Sequence, residues 1–349
     1  MSKVLLYFTK SIVLLIFKET LMTARLLTVL SAALLLGSCA SKPDVVTIGY
    51  QVTPYGELIA KNKGWYEAQL GAKVVFKQFD SGRDLNTAFA SHSIQFGLLG
   101  STPAAVCISR GNKVSLIYID EIIGSGEALA VKTKAKIASI KDFVGKRVGV
   151  PFASTTHYSL LSALKQEGVD PASVKILDLQ PQDIFAAWTR GDLDAAYVWE
   201  PTLSKLYAGE GQELTDSGKL AEKGVVTALV ELVDSEFAKK YPEIVVNYLK
   251  LQQKALDLYK SSEDEAGTAL AAELGVDKTE ALKEAKGFIW LSLQDQVKYL
   301  GTGAQKGPFA DTLKSTADFL VGQKAIETAP DLAGFQAAID TSFLEAALK

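Results

Sequence analysis

Three adjacent hydroxyls, Ser154-Thr155-Thr156, stand between a β-rich run (Val148, Val150, with a turn at Pro151) and an amphipathic helical pattern that runs to Gln166. Hydroxyls at such a joint accept hydrogen bonds from the first N–H groups of a helix. Those N–H groups have no partner within the helix, and with the macrodipole they attract an anion. The joint therefore predicts either an anion site or a plain helix cap. Two further joints have related make-up. One is Leu99 to Pro103 (LGSTP), with Thr102 as cap beside Ser101 and Pro103 as first helical residue. The other is Tyr197 to Pro201 (YVWEP). In open α/β sheets ligands bind beyond the carboxyl ends of strands. Joints of this kind in two α/β units predict a cleft with anion-binding walls on both sides.

Other chemistries find little support. The chain has two histidines, His92 and His157, and two cysteines, Cys39 and Cys107. No Cys-x-x-Cys or His-rich cluster would hold a metal. No Gly-rich phosphate loop of the nucleotide type occurs, and no Ser-His-Asp arrangement is suggested by spacing. No cofactor and no metal are expected, and binding is expected rather than catalysis. A net charge of −3 without a basic stripe argues against nucleic acid. With 349 residues, 48% hydrophobic and 22% charged, the chain is a folded protein with room for two domains.

These joints need strands and helices to position them. Strand patterns fall at Val45 to Tyr50, Lys73 to Phe79, Ile94 to Leu99 and Val114 to Ile119, with helical spacing at Ile59 to Gln69 and Leu85 to Ala90. This alternation predicts an α/β unit with a mainly parallel sheet flanked by helices. A Gly-rich break, Ile123 to Glu127 (IIGSGE), precedes a strand-like Leu129 to Lys132. A second unit follows from Phe143, with strands at Val174 to Leu179 and Ala195 to Trp199 and a helix at Ile184 to Arg190. Val225 to Val233 is β-rich, and after Phe237 Tyr248, Leu251, Ala255 and Leu258 share one helical face.

The N-terminus reads as a targeting segment over residues 1–38. Met22-Thr-Ala-Arg25 is a short basic stretch, and Met22 is the expected true start. Leu26 to Leu36 is an apolar run too short for a bilayer span of about 20 residues. Leu36-Gly37-Ser38-Cys39 then resembles a bacterial lipobox, which predicts lipidation at Cys39 and export. Cys107, in the apolar run Ala104 to Ile108, is expected to be packing.

Four blocks carry a family resemblance: Val46 to Gln51 (VTIGYQ), Val75 to Ala105, Val148 to Pro171 and Ala186 to Pro201. In this order they resemble the taurine-binding proteins of bacterial ABC importers, within the wider group that binds alkanesulfonates, nitrate and thiamine precursors. Leu291 to Gly301 matches in pattern. The resemblance implies a two-lobe type II periplasmic-binding fold, with the ligand held between lobes joined by two crossovers. The first lobe would comprise residues 45–127 plus 230–349, and the second 128–229. It also implies a monomer that closes on a small organosulfonate and docks on an ABC permease, anchored to the membrane by its lipid. A ligand-sensing partner of a membrane receptor, or an enzyme on the same fold, would share the architecture.

Taurine carries a sulfonate at one end and an ammonium at the other. Ser101, Thr102, Ser154, Thr155 and Thr156, with neighbouring N–H groups, suit the sulfonate. His157 is a further donor or a helix-terminus histidine, and Tyr158 either closes the pocket or packs on the second sheet. Asp80 and Glu200 are the acids for the ammonium, against turn-making and helix-capping roles. The resemblance implies Asp where Glu200 stands. Trp199 offers a cation–π face, and Gln51 reaches the ligand edge-on or is merely solvated.

Overall fold

The structure is a computed structural model that describes residues 42–349; the expected signal segment and Cys39 lie outside the described residues. Eleven strands form two sheets: β1 (Val45–Tyr50), β2 (Lys73–Gln78), β3 (Phe96–Gly100), β4 (Val114–Ile123), β5 (Glu127–Lys132), β6 (Arg147–Val150), β7 (Lys175–Asp178), β8 (Ala195–Trp199), β9 (Gly211–Asp216), β10 (Ala228–Asp234) and β11 (Phe288–Trp290). The first sheet has the order β11-β4-β10-β3-β1-β2 and the second β7-β6-β8-β5-β9. Strands β1 to β4 run in one sense, and β10 runs against them between β3 and β4. In the second sheet β5 alone is reversed, between β8 and β9. The mainly parallel α/β architecture expected from the sequence is present. The first sheet takes in two strands of opposite sense, β10 and β11, and the second takes in one, β5.

The central strands β3 (FGLLG) and β8 (AAYVW) are buried along their whole length, as continuous apolar runs require when both faces are covered. Helices follow where the sequence supplies caps. Ser154 begins the helix Thr155–Gln166 by accepting from the His157 N–H. The stretch read as one helix, Ile59 to Gln69, is instead two, Gly56–Asn62 and Trp65–Leu70, because Gly64 between them turns left-handed at φ 66°. Strands β9 and β11 escaped the sequence reading: β9 is polar (GQELTD) and β11 has only three residues.

The first crossover explains the Gly-rich break. The N–H groups of Gly124 and Gly126 both donate to Gly287 O at 3.0 Å. A β-carbon on Gly126 would lie 2.3 Å from the Phe288 ring. The helix Pro242–Ser261 packs on the first sheet, where Tyr248 stacks on Phe96 with ring centroids 4.2 Å apart. Such a pair contributes about 0.5–1.5 kcal/mol beyond its area burial. Cys107 is buried in the same half of the molecule, as expected, and takes a hydrogen bond from Asn112.

Candidate functional site

The carboxyl ends of β3, β6 and β8 meet between the two sheets. Gly100 ends β3, the loop after β6 carries Ser154 and Thr155, and Trp199 ends β8. Together with Gln51, Thr53, Glu127 and Leu229 they line an inner cavity of about 20 Å³, room for about one water. An outer cavity of about 200 Å³ shares Trp199 and adds Asp80, Pro181 and Lys205. Polar contacts bridge the two sheets at the rim. Arg83 pairs with Asp178 at 2.7 Å, and Gln180 Nε2 donates to Ser81 Oγ at 3.2 Å.

The hydroxyl run is used more locally than its composition suggests. Ser154 Oγ donates to Pro151 O at 2.6 Å, so the Thr156 hydroxyl donates to Ser154 at 2.8 Å. Thr155 Oγ1 donates to Glu127 Oε1 at 2.5 Å. All three hydroxyl hydrogens are thereby occupied. What remains at this wall is backbone: Thr155 and Thr156 begin the helix, and no acceptor takes their N–H groups among the described residues. In the first lobe Ser101 Oγ accepts from the Ala228 N–H, and the hydroxyls of Thr102 and Thr53 are buried without partners; neither Ser101 nor Thr102 lines the cavity. Thr53 faces the inner cavity.

Gln51 lines the cavity and is held by donating to Leu98 O. His157 does not line it. Its ring stacks on Phe152 at 4.4 Å, its Nδ1 accepts from the Ala153 N–H, and burial pushes its pKa down to about 4, so it is neutral. Tyr158 packs edge-on against Phe319 of the helix Phe309–Gly322, at 5.2 Å, away from the lining. The carboxylate of Glu200 accepts from both the N–H and the hydroxyl of Ser204, at 2.8 and 3.0 Å, and so caps the helix Thr202–Tyr207. Asp80 is exposed and reaches only the outer cavity.

Two polar side chains of the lining were missed from sequence, Thr53 and Glu127. Glu127 is 3% exposed, and burial raises its pKa to about 7 against the opposing hydrogen bonds from Thr155 and Ser217. A signal for it was present: a lone acid before four apolar residues in the strand EALAVK, directly after the Gly-Ser-Gly break. Among the described residues no Lys or Arg lines the inner cavity. The site therefore offers the free N–H groups at the start of the helix Thr155–Gln166 and the unpartnered Thr53 hydroxyl as uncharged donors, together with a single carboxylate beside an indole.

A family model described as NMT1/THI5 like matches residues 52–266. The taurine-binding periplasmic protein of Escherichia coli (strain K12) is 38% identical over 284 residues, covering 80% of this chain and 86% of that protein. The alkanesulfonate-binding protein SsuA from Xanthomonas axonopodis pv. citri, solved bound to MOPS, superposes with a TM-score of 0.73 at 21% identity, over 86% of this chain and 100% of that one. The desulfurization enzyme DSZB shares the fold at a TM-score of 0.62 and 17% identity, over 88% of this chain and 99% of that one. The two sheets with their flanking helices are thus the two lobes of a periplasmic-binding-protein fold. By the extent of the family match and by its relationship to the taurine-binding protein, the chain belongs to the NMT1/THI5-like family.

Proposed function

We propose that this protein is an extracytoplasmic solute-binding protein of an ABC importer that captures a small organosulfonate, taurine foremost, between its two lobes. The observation that carries this reading is the facing of two helix N-termini across one cavity that no Lys or Arg lines among the described residues. A sulfonate stays ionised, and backbone N–H groups can replace its water shell without a cationic side chain. Taurine is preferred because the relative at 38% identity is a taurine-binding protein. The first lobe is residues 45–127 plus 230–349 and the second 128–229. Closure is a hinge motion about the two crossovers. Cys39 carries the lipid that holds the exported, monomeric protein at the membrane near its permease; several acyl chains are needed for firm anchoring.

The role is capture without chemistry. Cys107 lies in the core of the first lobe, where burial pushes its thiol up to about 11, and His157 is neutral and turned to backbone. Neither lines the cavity. Calorimetric titration with taurine, ethanesulfonate, nitrate and a thiamine pyrimidine precursor tests the reading. Binding of at least one sulfonate is expected. Binding of nitrate or the pyrimidine, with none of either sulfonate, would sink it.

A further inference from the structure

The helix Thr155–Gln166 belongs to the second lobe, yet the first lobe touches it at its start and again one turn on. At the start, Gly100 lies so close that a β-carbon there would be 2.6 Å from the Thr155 methyl carbon. One turn on, the Tyr158 ring packs edge-on against Phe319, with centroids 5.2 Å apart and planes at 83°. Tyr158, Ser162 and Lys165 share one face of the helix. That face is covered. The Thr316 and Ser162 side chains approach the Tyr158 hydroxyl, and Lys165 Nζ lies over the Phe319 ring at 5.4 Å.

Phe319 and Thr316 come from the helix Phe309–Gly322, which is rooted in the first lobe. Its Phe309, Leu313 and Ala317 are part of the core that holds Leu99 and Cys107. Phe319 packs instead against the core of the second sheet, with Val148, Tyr158 and Tyr197. Leu313 and Ala317 are four residues apart and share one face, while Thr316 and Phe319 are three apart and share another. A single helix thus spans the lobes: one face is built into the first and the other is seated on the second.

The seat is close to the site by way of the backbone. The Tyr158 N–H donates to Ser154 O at 3.1 Å and so closes the first turn. The N–H groups of Thr155 and Thr156, which no acceptor takes among the described residues, belong to that same turn. A hydrogen-bonded turn moves as a unit, so a shift of the Tyr158 ring carries those N–H groups with it. We propose that Phe319 is a positioning residue for ligand capture. From the first lobe it sets where the second lobe's helix presents its free N–H groups to the anionic end of the ligand. The inference rests on the organosulfonate reading above and adds the contact that aligns one lobe on the other. Phe319 does not line the inner cavity, and it acts through Tyr158.

The test titrates taurine and ethanesulfonate by calorimetry into the wild-type protein, Phe319→Ala and Phe319→Leu. The amide signals of Thr155 and Thr156 in the unliganded proteins are followed by NMR. Remote substitutions along a coupled element change affinity by about three- to thirtyfold. Phe319→Ala is expected to weaken both sulfonates by one common factor in that range, because both share the anionic end. Phe319→Leu keeps an apolar side chain in the seat and should recover part of the loss, with the two amide signals displaced in the same order. A purely structural role would lower resistance to denaturant while affinities and amide signals stay at wild-type values, and that result overturns the proposal. A loss confined to one of the two sulfonates overturns it as well. If the wild-type protein binds neither sulfonate, the organosulfonate reading falls and the amide signals alone decide on Phe319. Should Phe319→Ala fail to fold, Phe319→Leu carries the test with the same outcomes.

Discussion

Gly100 and Thr155 meet across the cleft so closely that a β-carbon on Gly100 would lie 2.6 Å from the Thr155 methyl carbon. Gly100 ends β3 in the first lobe, and Thr155 opens the first helix after β6 in the second. The backbone at Gly100 is ordinary extended chain, φ −65° and ψ 154°, so glycine is needed there for space and not for conformation. Gly100→Ala is expected to hold the lobes apart and weaken ligand binding about tenfold, with little effect on the melting temperature. Thr155→Ser removes the methyl group and keeps the hydroxyl that Glu127 accepts. The double variant should therefore recover most of the affinity. Calorimetry on the four proteins of this cycle measures the coupling, and additive losses would place the effect of Gly100 elsewhere.

The rim contact between Arg83 and Asp178 bridges the lobes through half-exposed side chains, 38% and 36% accessible. Exposed ion pairs contribute about 0–1 kcal/mol and are screened by salt. Arg83→Ala is expected to raise the ligand dissociation rate by two- to fivefold at low ionic strength and to have almost no effect at 1 M salt. Asp178 is the poorer site to change, because it also accepts the Phe152 N–H at 3.0 Å. Stopped-flow release of bound ligand at two salt concentrations checks this. A salt-independent effect would mean that Arg83 acts through packing.

Much of the architecture could be read from the sequence, and the reason is local. Strand and helix patterns, the Ser154 cap and the Gly-rich crossover are encoded within a few residues of one another. So was the alternative for Glu200, whose partner Ser204 is four residues on. Glu127 was not legible, because its meaning comes from Thr155, 28 residues away, and Ser217, 90 residues away. The same holds for Thr53, whose surroundings are supplied by other strands. The reversed strand β10 reads as β-rich in the sequence, but its place between β3 and β4 is set by tertiary pairing alone.

Taurine binding should depend on pH in a way that ethanesulfonate binding does not. Burial raises the Glu127 pKa to about 7, so a large fraction of the unliganded protein carries a proton there at neutral pH. The groups facing it are the Thr155 and Ser217 hydroxyls and the Tyr197 phenol, whose own pKa burial raises far above neutrality. None of these titrates between pH 5 and 8. An ammonium seated in the inner cavity, which Glu127 lines, favours the ionised carboxylate, so taurine binding is expected to release a proton. Affinity is expected to rise up to tenfold per pH unit below about 7 and to level off above it. Calorimetry in two buffers of different ionisation enthalpy reads the released proton. A flat profile for taurine would remove Glu127 from the ammonium's surroundings.

The unliganded protein should lose stability as pH rises, because of carboxyl groups buried without cations. Glu284, 3% exposed with neither oxygen bonded among the described residues, is raised to about 8, first by burial and then by Glu200 and Glu280. Lys205 and Lys283 also face it and oppose the shift. Glu57, fully buried between the hydroxyls of Tyr55 and Tyr248, is raised to about 7 by burial. Asp120 and Glu231 are raised as well, again first by burial. For an acid whose folded pKa is raised, the folded state holds a proton that the unfolded state gives up above its ordinary value near 4.5. The stabilisation is complete below that pH and is lost as pH climbs through the folded value. Each retained proton costs about 1.4 kcal/mol per pH unit in that window. Denaturant unfolding of the unliganded protein should therefore weaken steadily from about pH 5 to pH 8. Glu284→Gln keeps the volume and carries no proton to lose, so it should flatten the profile by about one proton and leave the variant more stable than wild type at pH 8. A variant with an unaltered slope would show that Glu284 is ionised in the folded protein, with its charge compensated by Lys205 and Lys283.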